Sequence, residues 1–258
     1  MNYRRELELA KQAAVLAGMA IMEIYNSDDF DVELKNDNSP LTKADKRANE
    51  IIVSMLKTEF HDYAILSEES EDDKSRLKND YCFVVDPLDG TKEFIKRNGQ
   101  FTVNIALAYK HKSVMGVIYV PVTKELYYAV DGFGAYYEIE GKEPVKLKVS
   151  DRTTDIRAVM SLSHGCVEMD ELIKKHNIKN CVKIGSSLKG CLVAKGEAEV
   201  YYRFNPTREW DTAAMQCIAE EAGAIFRQMD GSQMRYNREN TCNDEGFFVI
   251  NCEENRLG

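Results

Sequence analysis

The chain has 258 residues, 44% of them hydrophobic and 30% charged, enough for a sizeable core in one large domain or two modest ones. Lys and Arg number 34 and Asp and Glu 43, a formal charge of −9. This argues against a nucleic-acid partner, which needs cations over its phosphates, but leaves room for a small phosphorylated ligand where local cations or metal ions offset the field. No apolar run approaches the roughly 18–20 residues that cross a bilayer, so no integral membrane segment is expected. MNYRRELELAKQ is too charged for a signal peptide. Seven cysteines without C-x-x-C spacing read as reduced thiols of a cytoplasmic protein.

Arg4 to Tyr25 carries Leu7, Ala10, Ala14, Ala17, Ile21 and Ile24 on one helical face. The polar stretch NSDDFDVELKNDNSP reads as loop. From Thr42 to Phe60 the apolar residues again keep helical period, with Thr42 as N-cap and Asp45 three residues on, a variant capping box. Tyr63–Leu66 is a short strand running into an acidic loop. Tyr81–Val85, Phe101–Tyr109, Val114–Val120, Glu125–Val130 and Ala135–Ile139 read as neighbouring antiparallel strands. Near Ser150 strands and helices begin to alternate. Strands are expected at Ala158–Ser161, Cys181–Ile184, Glu199–Tyr202, Ala224–Arg227 and Gly246–Ile250. Helices are expected at Met169–His176, from GSS to Ala194, and at Asp211–Ala222. The pattern is α+β followed by α/β, with residues 1–150 and 151–258 as two halves sharing a sheet-rich core.

Chemistry concentrates in VVDPLDGTKEF, Val84–Phe94. Pro87 fixes its own φ and biases Asp86 toward an extended backbone, while Gly90 permits a positive φ or a close backbone approach. Two carboxylates, Asp86 and Asp89, on so stiff a strand end suit a hard divalent cation such as Mg²⁺, which takes oxygen ligands and keeps places for water and phosphate. The Thr91 hydroxyl is placed to orient a water. The plain alternative is an Asp-Gly turn. Glu68 and Glu69 in SEES stand at another strand end, whereas Glu71, Asp72 and Asp73 read as solvated. Asp211 in EWDTAA and Asp45 in PLTKAD each have an ordinary helix-capping reading. Together these acidic residues stand at strand ends and helix starts, where α/β proteins place ligands.

In this order PLTKAD, LSEES, VDPLDGTKEF, GSSLKGCLVAKGEAEVY and PTREWDTAA resemble the inositol monophosphatase-like phosphatases over nearly the whole chain. TKEFIKRNGQFTVNIAL, GSSLK and YNREN look most like the bacterial CysQ-type 3′(2′),5′-bisphosphate nucleotidases within that superfamily. The resemblance implies an αβαβα sandwich of the inositol monophosphatase/fructose-1,6-bisphosphatase type. It also implies two or three Mg²⁺ ions, inhibition by Li⁺, and hydrolysis of adenosine 3′,5′-bisphosphate, with the 2′,5′ isomer open, to AMP and phosphate. A homodimer and a peripheral association with the inner membrane are left open. Carried over by motif, Glu68, Asp86, Asp89, Asp211 and the Leu88 carbonyl are metal ligands, and Thr91 with Glu68 or Asp45 positions the attacking water.

For the non-reacting phosphate the first cation is Lys189, near the start of the GSSLKG helix, followed by Lys92, Arg203 and Arg238. Gly90, Thr91, Gly185, Ser186, Ser187 and Asp211 complete the expected substrate contacts. A solvated surface charge is the plain alternative for any one Lys or Arg. Gly190 departs from the pattern, standing where a bulkier residue is usual.

Three other readings compete with this one. Inositol phosphates or fructose 1,6-bisphosphate are alternative substrates for the same reaction. Phosphatases of the haloacid dehalogenase type use D-x-D-G-T with a nucleophilic aspartate, but here the spacing is D-x-x-D-G-T, and three residues along a flat strand do not return to one face. A non-catalytic metal- or nucleotide-binding module is the third.

Overall fold

The computed structural model describes residues 3–27, 30–35, 40–163 and 165–258. Helix α1 (Arg4–Tyr25) is followed by the short strands β1 (Glu33–Leu34) and β2 (Pro40–Leu41), which pair with each other, and by α2 (Lys43–Glu59). Both small strands fall in or beside the stretch read as loop, of which residues 28, 29 and 36–39 lie outside the described residues. Next come β3 (Ala64–Ser67), β4 (Tyr81–Asp89), the short helix α3 (Thr91–Ile95), β5 (Thr102–Tyr109), β6 (Lys112–Val120), β7 (Glu125–Val130), β8 (Gly134–Ile139) and β9 (Val145–Lys146). Strands β3 to β9 form one seven-stranded sheet in chain order, antiparallel throughout except that β3 runs parallel to β4.

The rest of the chain comprises β10 (Arg157–Ser161), α4 (Val167–Lys175), β11 (Asn180–Ile184), α5 (Leu188–Ala194), β12 (Val200–Arg203), β13 (Thr207–Arg208), α6 (Glu209–Glu221), β14 (Ile225–Gln228), β15 (Cys242–Asn243) and β16 (Phe247–Ile250). A five-stranded mixed sheet orders them β11-β10-β12-β16-β14, and β13 pairs with β15. The ribbon escaped the sequence reading because two-residue strands carry no periodicity.

Alternation along the strands decides the layers. Phe83 and Val85 of β4, with Val103, Ile105 and Leu107 of β5, pack into one cluster with Ala10, Ala14 and Ala17 of α1 and Ile52 of α2. Cys82 and Val84, with Ala106 and Ala108, join α5, α6 and inward residues of the second sheet such as Val159, Tyr201 and Phe247. The far face of the second sheet packs Ala158, Tyr202 and Phe248 against Met169 of α4. The layers therefore run helices, sheet, helices, sheet, helix. All seven cysteines are free, and among the described residues no helix is long and apolar enough to cross a membrane.

Helix α6 lies between the sheets because its sides are small. Ala213, Ala214 and Ala219 are buried, and a Cβ on Gly116 of β6 would come within 2.5 Å of the Ala214 carbonyl oxygen. Its first residue, Glu209, is wholly buried. The carboxylate accepts the backbone N–H groups of Asn237 (2.6 Å) and Arg238 (2.9 Å) and the Arg238 Nε–H (3.1 Å). Arg76, also buried, donates to Asp72 and to the Asn237 side chain, so one network ties the 237–238 loop to the start of α6.

Gly190 of α5 faces Met215 of α6. A Cβ there would lie 2.2 Å from Met215 Cγ and 2.3 Å from its sulfur. The bulk missing at position 190 is supplied from the neighbouring helix. Gly190→Leu is expected to lower unfolding stability by about 1–3 kcal/mol through overpacking, and Met215→Ala in the same chain to recover most of that loss. Chemical denaturation of both single variants and the double variant checks this; additive losses would show that the two positions do not share space.

Candidate active site

The site begins with an irregularity in β4. Asp86 pairs with Asn104 and Asp89 with Thr102, so three steps on β4 face two on β5 and one residue is extra. Pro87, lacking an N–H, sits in this bulge, where a strand tolerates proline. The bulge inverts the alternation: Cys82 and Val84 face α6, yet Leu88 faces the α1–α2 side. Asp89 is thereby returned to the face of Asp86. The Leu88 N–H closes the bulge onto Asp86 Oδ1 at 3.0 Å. Gly90 follows with φ 94°, and a Cβ there would come 3.1 Å from the Gln100 carbonyl oxygen, so this turn requires glycine.

Across the interlayer space α6 presents Asp211. The helix starts at Glu209, two residues earlier than expected, which makes Asp211 its third residue. Asp211 Oδ2 accepts the Arg208 N–H at 2.6 Å in a capping-box arrangement. Asp86, Asp89 and Asp211 each offer an oxygen within 4.8 Å of the other two. Glu68 arrives from the end of β3, its N–H bonded to the Val85 carbonyl (3.1 Å), and its Oε1 accepts the Lys35 ammonium at 2.6 Å. The same ammonium reaches Glu69.

Burial and like charge act together here. Loss of hydration, then the charges of Glu68, Asp89 and Asp211, hold the Asp86 carboxyl well above the usual range. Asp211 is pushed up to about 7 by burial and then by Asp89 and Glu68. Glu68 rises through burial, with Lys35 opposing. Carboxylates this close accept ionisation only where positive charge joins them, and an all-oxygen set on rigid elements fits a hard divalent cation. The residues present therefore suit Mg²⁺.

Asp45 divides its two oxygens between two tasks. Oδ2 accepts the Thr42 N–H (2.8 Å) and hydroxyl (2.6 Å), the expected capping box, while Oδ1 accepts the Thr91 hydroxyl at 3.1 Å. Thr91 Oγ1 also lies 3.3 Å from the Leu88 carbonyl oxygen. Burial raises the Asp45 carboxyl against these hydrogen bonds.

A cavity of about 240 Å³ opens over these groups. Of the candidates read from sequence, Glu68, Asp89, Gly90, Thr91, Lys92 and Asp211 line it. Gly185, Ser186, Ser187, Lys189 and Arg203 line it as well. Ser187 donates to Asp89 Oδ2 at 2.6 Å, and Ser186 holds a left-handed φ of 49° in the turn before α5. Lys189 is buried, its ammonium donating to the Ser186 carbonyl, and burial lowers its pKa. Asp86, Asp45 and the Leu88 carbonyl stand behind this wall.

Arg238 does not line the cavity. Its guanidinium is held by Glu209 and by Asn243 Oδ1 (2.6 Å), so it braces α6. The sequence reading also missed Lys35, which has no local signal, and Asn104, which has one. Thr102 and Asn104 are polar at alternate positions of an otherwise apolar strand, and Asn104 Nδ2 donates to Ser187 Oγ at 2.9 Å.

The chain is similar to known proteins along nearly its whole length. The family model described as "Inositol monophosphatase family" matches residues 2–253. The 3′(2′),5′-bisphosphate nucleotidase CysQ of Salmonella typhimurium is 42% identical over 245 residues, spanning 94% of this chain and 98% of its own. The crystal structure of CysQ from Bacteroides thetaiotaomicron aligns with TM-score 0.85 at 44% identity, covering 97% of this chain and 99% of that one. The extragenic suppressor protein suhB from Bartonella henselae aligns with TM-score 0.80 at 27% identity, over 96% and 94% of the two chains.

A carboxylate whose pKa is raised on folding holds more protons folded than unfolded. Its contribution to stability is complete below the unfolded pKa and is lost as pH rises through the folded value. In chelator the Asp86, Glu68 and Asp211 contribution should decline between about pH 4 and about pH 7, the latter being the Asp211 value. Millimolar Mg²⁺ should raise Tm by an increment that grows across the same window, as the cation replaces protons. Thermal melts with and without Mg²⁺ at several pH values measure this, and a Mg²⁺ increment that does not change with pH would contradict it.

Proposed function

The chain belongs to the inositol monophosphatase family, and from that premise we propose that it is a Mg²⁺-dependent phosphomonoesterase. Its proposed reaction converts adenosine 3′,5′-bisphosphate to AMP and phosphate. The observation that carries this reading is one cavity lined by both acidic and cationic side chains. Asp89 and Asp211, with Asp86 within 4.8 Å of them, reach the cavity that Lys189 and Arg203 also line. A substrate with two phosphates fits such a lining, one phosphate over metal ions at the carboxylates and one against the cations. The name of the 42% identical relative supports the nucleotide.

Glu68, Asp86, Asp89, Asp211 and the Leu88 carbonyl would hold two or three Mg²⁺ ions. When bound, these supply positive charge that makes water more acidic and offsets the negative charge of the phosphoryl group. The protein's own groups do the rest. With the Thr91 hydroxyl proton directed at Asp45 Oδ1, the Thr91 oxygen is free to accept a hydrogen from the attacking water and so aim its lone pair. Asp45, its basicity raised by burial, is suited to take up the displaced proton. Ser187 and Asn104 hold Asp89 in place through Oδ2. Lys189 and Arg203 would neutralise the phosphate that does not react. Catalysis is then mainly positioning and charge stabilisation, with no covalent intermediate on Asp86.

Asp89→Asn is expected to keep the fold but leave less than about a tenth of the turnover, a loss above roughly 1.4 kcal/mol in transition-state stabilisation. Phosphate release from adenosine 3′,5′-bisphosphate, myo-inositol 1-phosphate and fructose 1,6-bisphosphate, with Mg²⁺ and with chelator, tests the reading. The nucleotide should have the highest kcat/KM. A preference of about a hundredfold for the inositol ester would reassign the substrate, and undiminished release in chelator would remove the metal.

A further inference from the structure

The cavity wall contains an acidic group that the proposed reaction leaves unused. Glu93, in α3, is only 4% exposed, and its side chain lines the cavity. Oε1 accepts the Ser163 hydroxyl, and no other described residue donates to this carboxylate. The backbone of Gly185 is closed over it. A Cβ on Gly185 would lie 2.7 Å from Glu93 Cγ, and the Gly185 N–H is already taken by Gln100 Oε1 at 2.8 Å. Lys189 on this wall spends a proton on the Ser186 carbonyl, and among the described residues no Lys or Arg forms an ion pair with Glu93.

The other Glu93 oxygen has no protein donor, and since no buried side-chain oxygen among the described residues lacks a partner, it opens onto the cavity, where a bound molecule can complete it. It is an acceptor only, so what completes it must donate a hydrogen bond. It also repels phosphate, so the group it meets is neutral. We propose that Glu93 is a specificity-determining residue. Its carboxylate accepts a hydrogen bond from a neutral donor on the nucleoside part of the substrate, a ribose hydroxyl or an exocyclic amine, and keeps phosphates off that wall. Ser163 holds the carboxylate in position, and glycine is required at 185 because the Glu93 stem fills the space a side chain would need. This assignment rests on the bisphosphate nucleotidase reading.

The test compares kcat/KM for adenosine 3′,5′-bisphosphate, its 2′-deoxy analogue and inosine 3′,5′-bisphosphate, in the wild type, Glu93→Ala and Glu93→Gln. The wild type should disfavour one analogue by about ten- to a hundredfold, the worth of one hydrogen bond to a charged group. Loss with the deoxy compound identifies the 2′-hydroxyl as the donor, and loss with inosine identifies the amine. Glu93→Ala should erase the preference, and the isosteric Glu93→Gln should reduce it while retaining a wild-type melting curve. Equal use of all three nucleotides by the wild type would overturn the assignment, as would variants that lower all three rates by the same factor. A wild type that cleaves none of them would overturn the nucleotidase reading, and this assignment with it.

Discussion

The structure is organised around a repulsion. Asp86, Asp89 and Asp211 crowd their oxygens within 4.8 Å, with Glu68 beside them. Left to themselves, flexible side chains would separate or take up protons. Here the scaffold closes the first escape, so the carboxyls hold protons until cations replace them. Asp86 and Asp89 are fixed by a bulged strand, Asp211 by the third position of a buried helix, and Glu68 by the end of a parallel strand. The arrangement suits a function in which cations come and go with the ligand, because the protein stays short of positive charge until they arrive.

Rigidity elsewhere serves the same end. Helix α6 contacts both sheets through small residues, so Asp211 cannot drift from Asp86 and Asp89 without moving a whole layer. Glu209, buried and saturated with donors from 237 and 238, anchors the end of α6 that carries Asp211. Buried ion pairs of this kind contribute little net stability but lose a great deal if one partner is removed. Their effect here is to fix where a helix begins. Asp45 extends the economy, since one carboxylate both caps α2 and orients Thr91.

Much of this was legible in the chain. Helical periodicity located α1 to the residue and α2 to within one at each end, because long amphipathic faces repeat a signal many times. The capping box at Thr42–Asp45 was legible for the same reason that it forms, two short polar side chains at the right spacing. The acidic residues were visible as motif pieces, but their convergence was not, since nothing local says that positions 68, 86 and 211 meet. Arg238 was misread because a lone arginine carries no sign of whether it meets solvent, ligand or a buried glutamate. Lys35 and Glu93 were missed because their roles exist only once distant backbone closes around them. The early start of α6 reflects Glu209, whose burial no propensity scale anticipates.

The bulge at Pro87 carries a consequence for how this segment is able to vary over time. Amino-acid replacements between Asp86 and Asp89 leave the count of residues intact. Removal of one residue would restore the flat ladder with both carboxylates still on one face, but it would take away the extra residue whose N–H closes onto Asp86 and whose carbonyl lies beside Thr91. A one-residue insertion, with the single bulge kept, would turn the second carboxylate toward Phe94 and Phe101, in a layer made of hydrocarbon and aromatic rings. Drift in this stretch is therefore confined to spelling and closed to length, although loops only a few positions away lie on the surface, where insertions are tolerated.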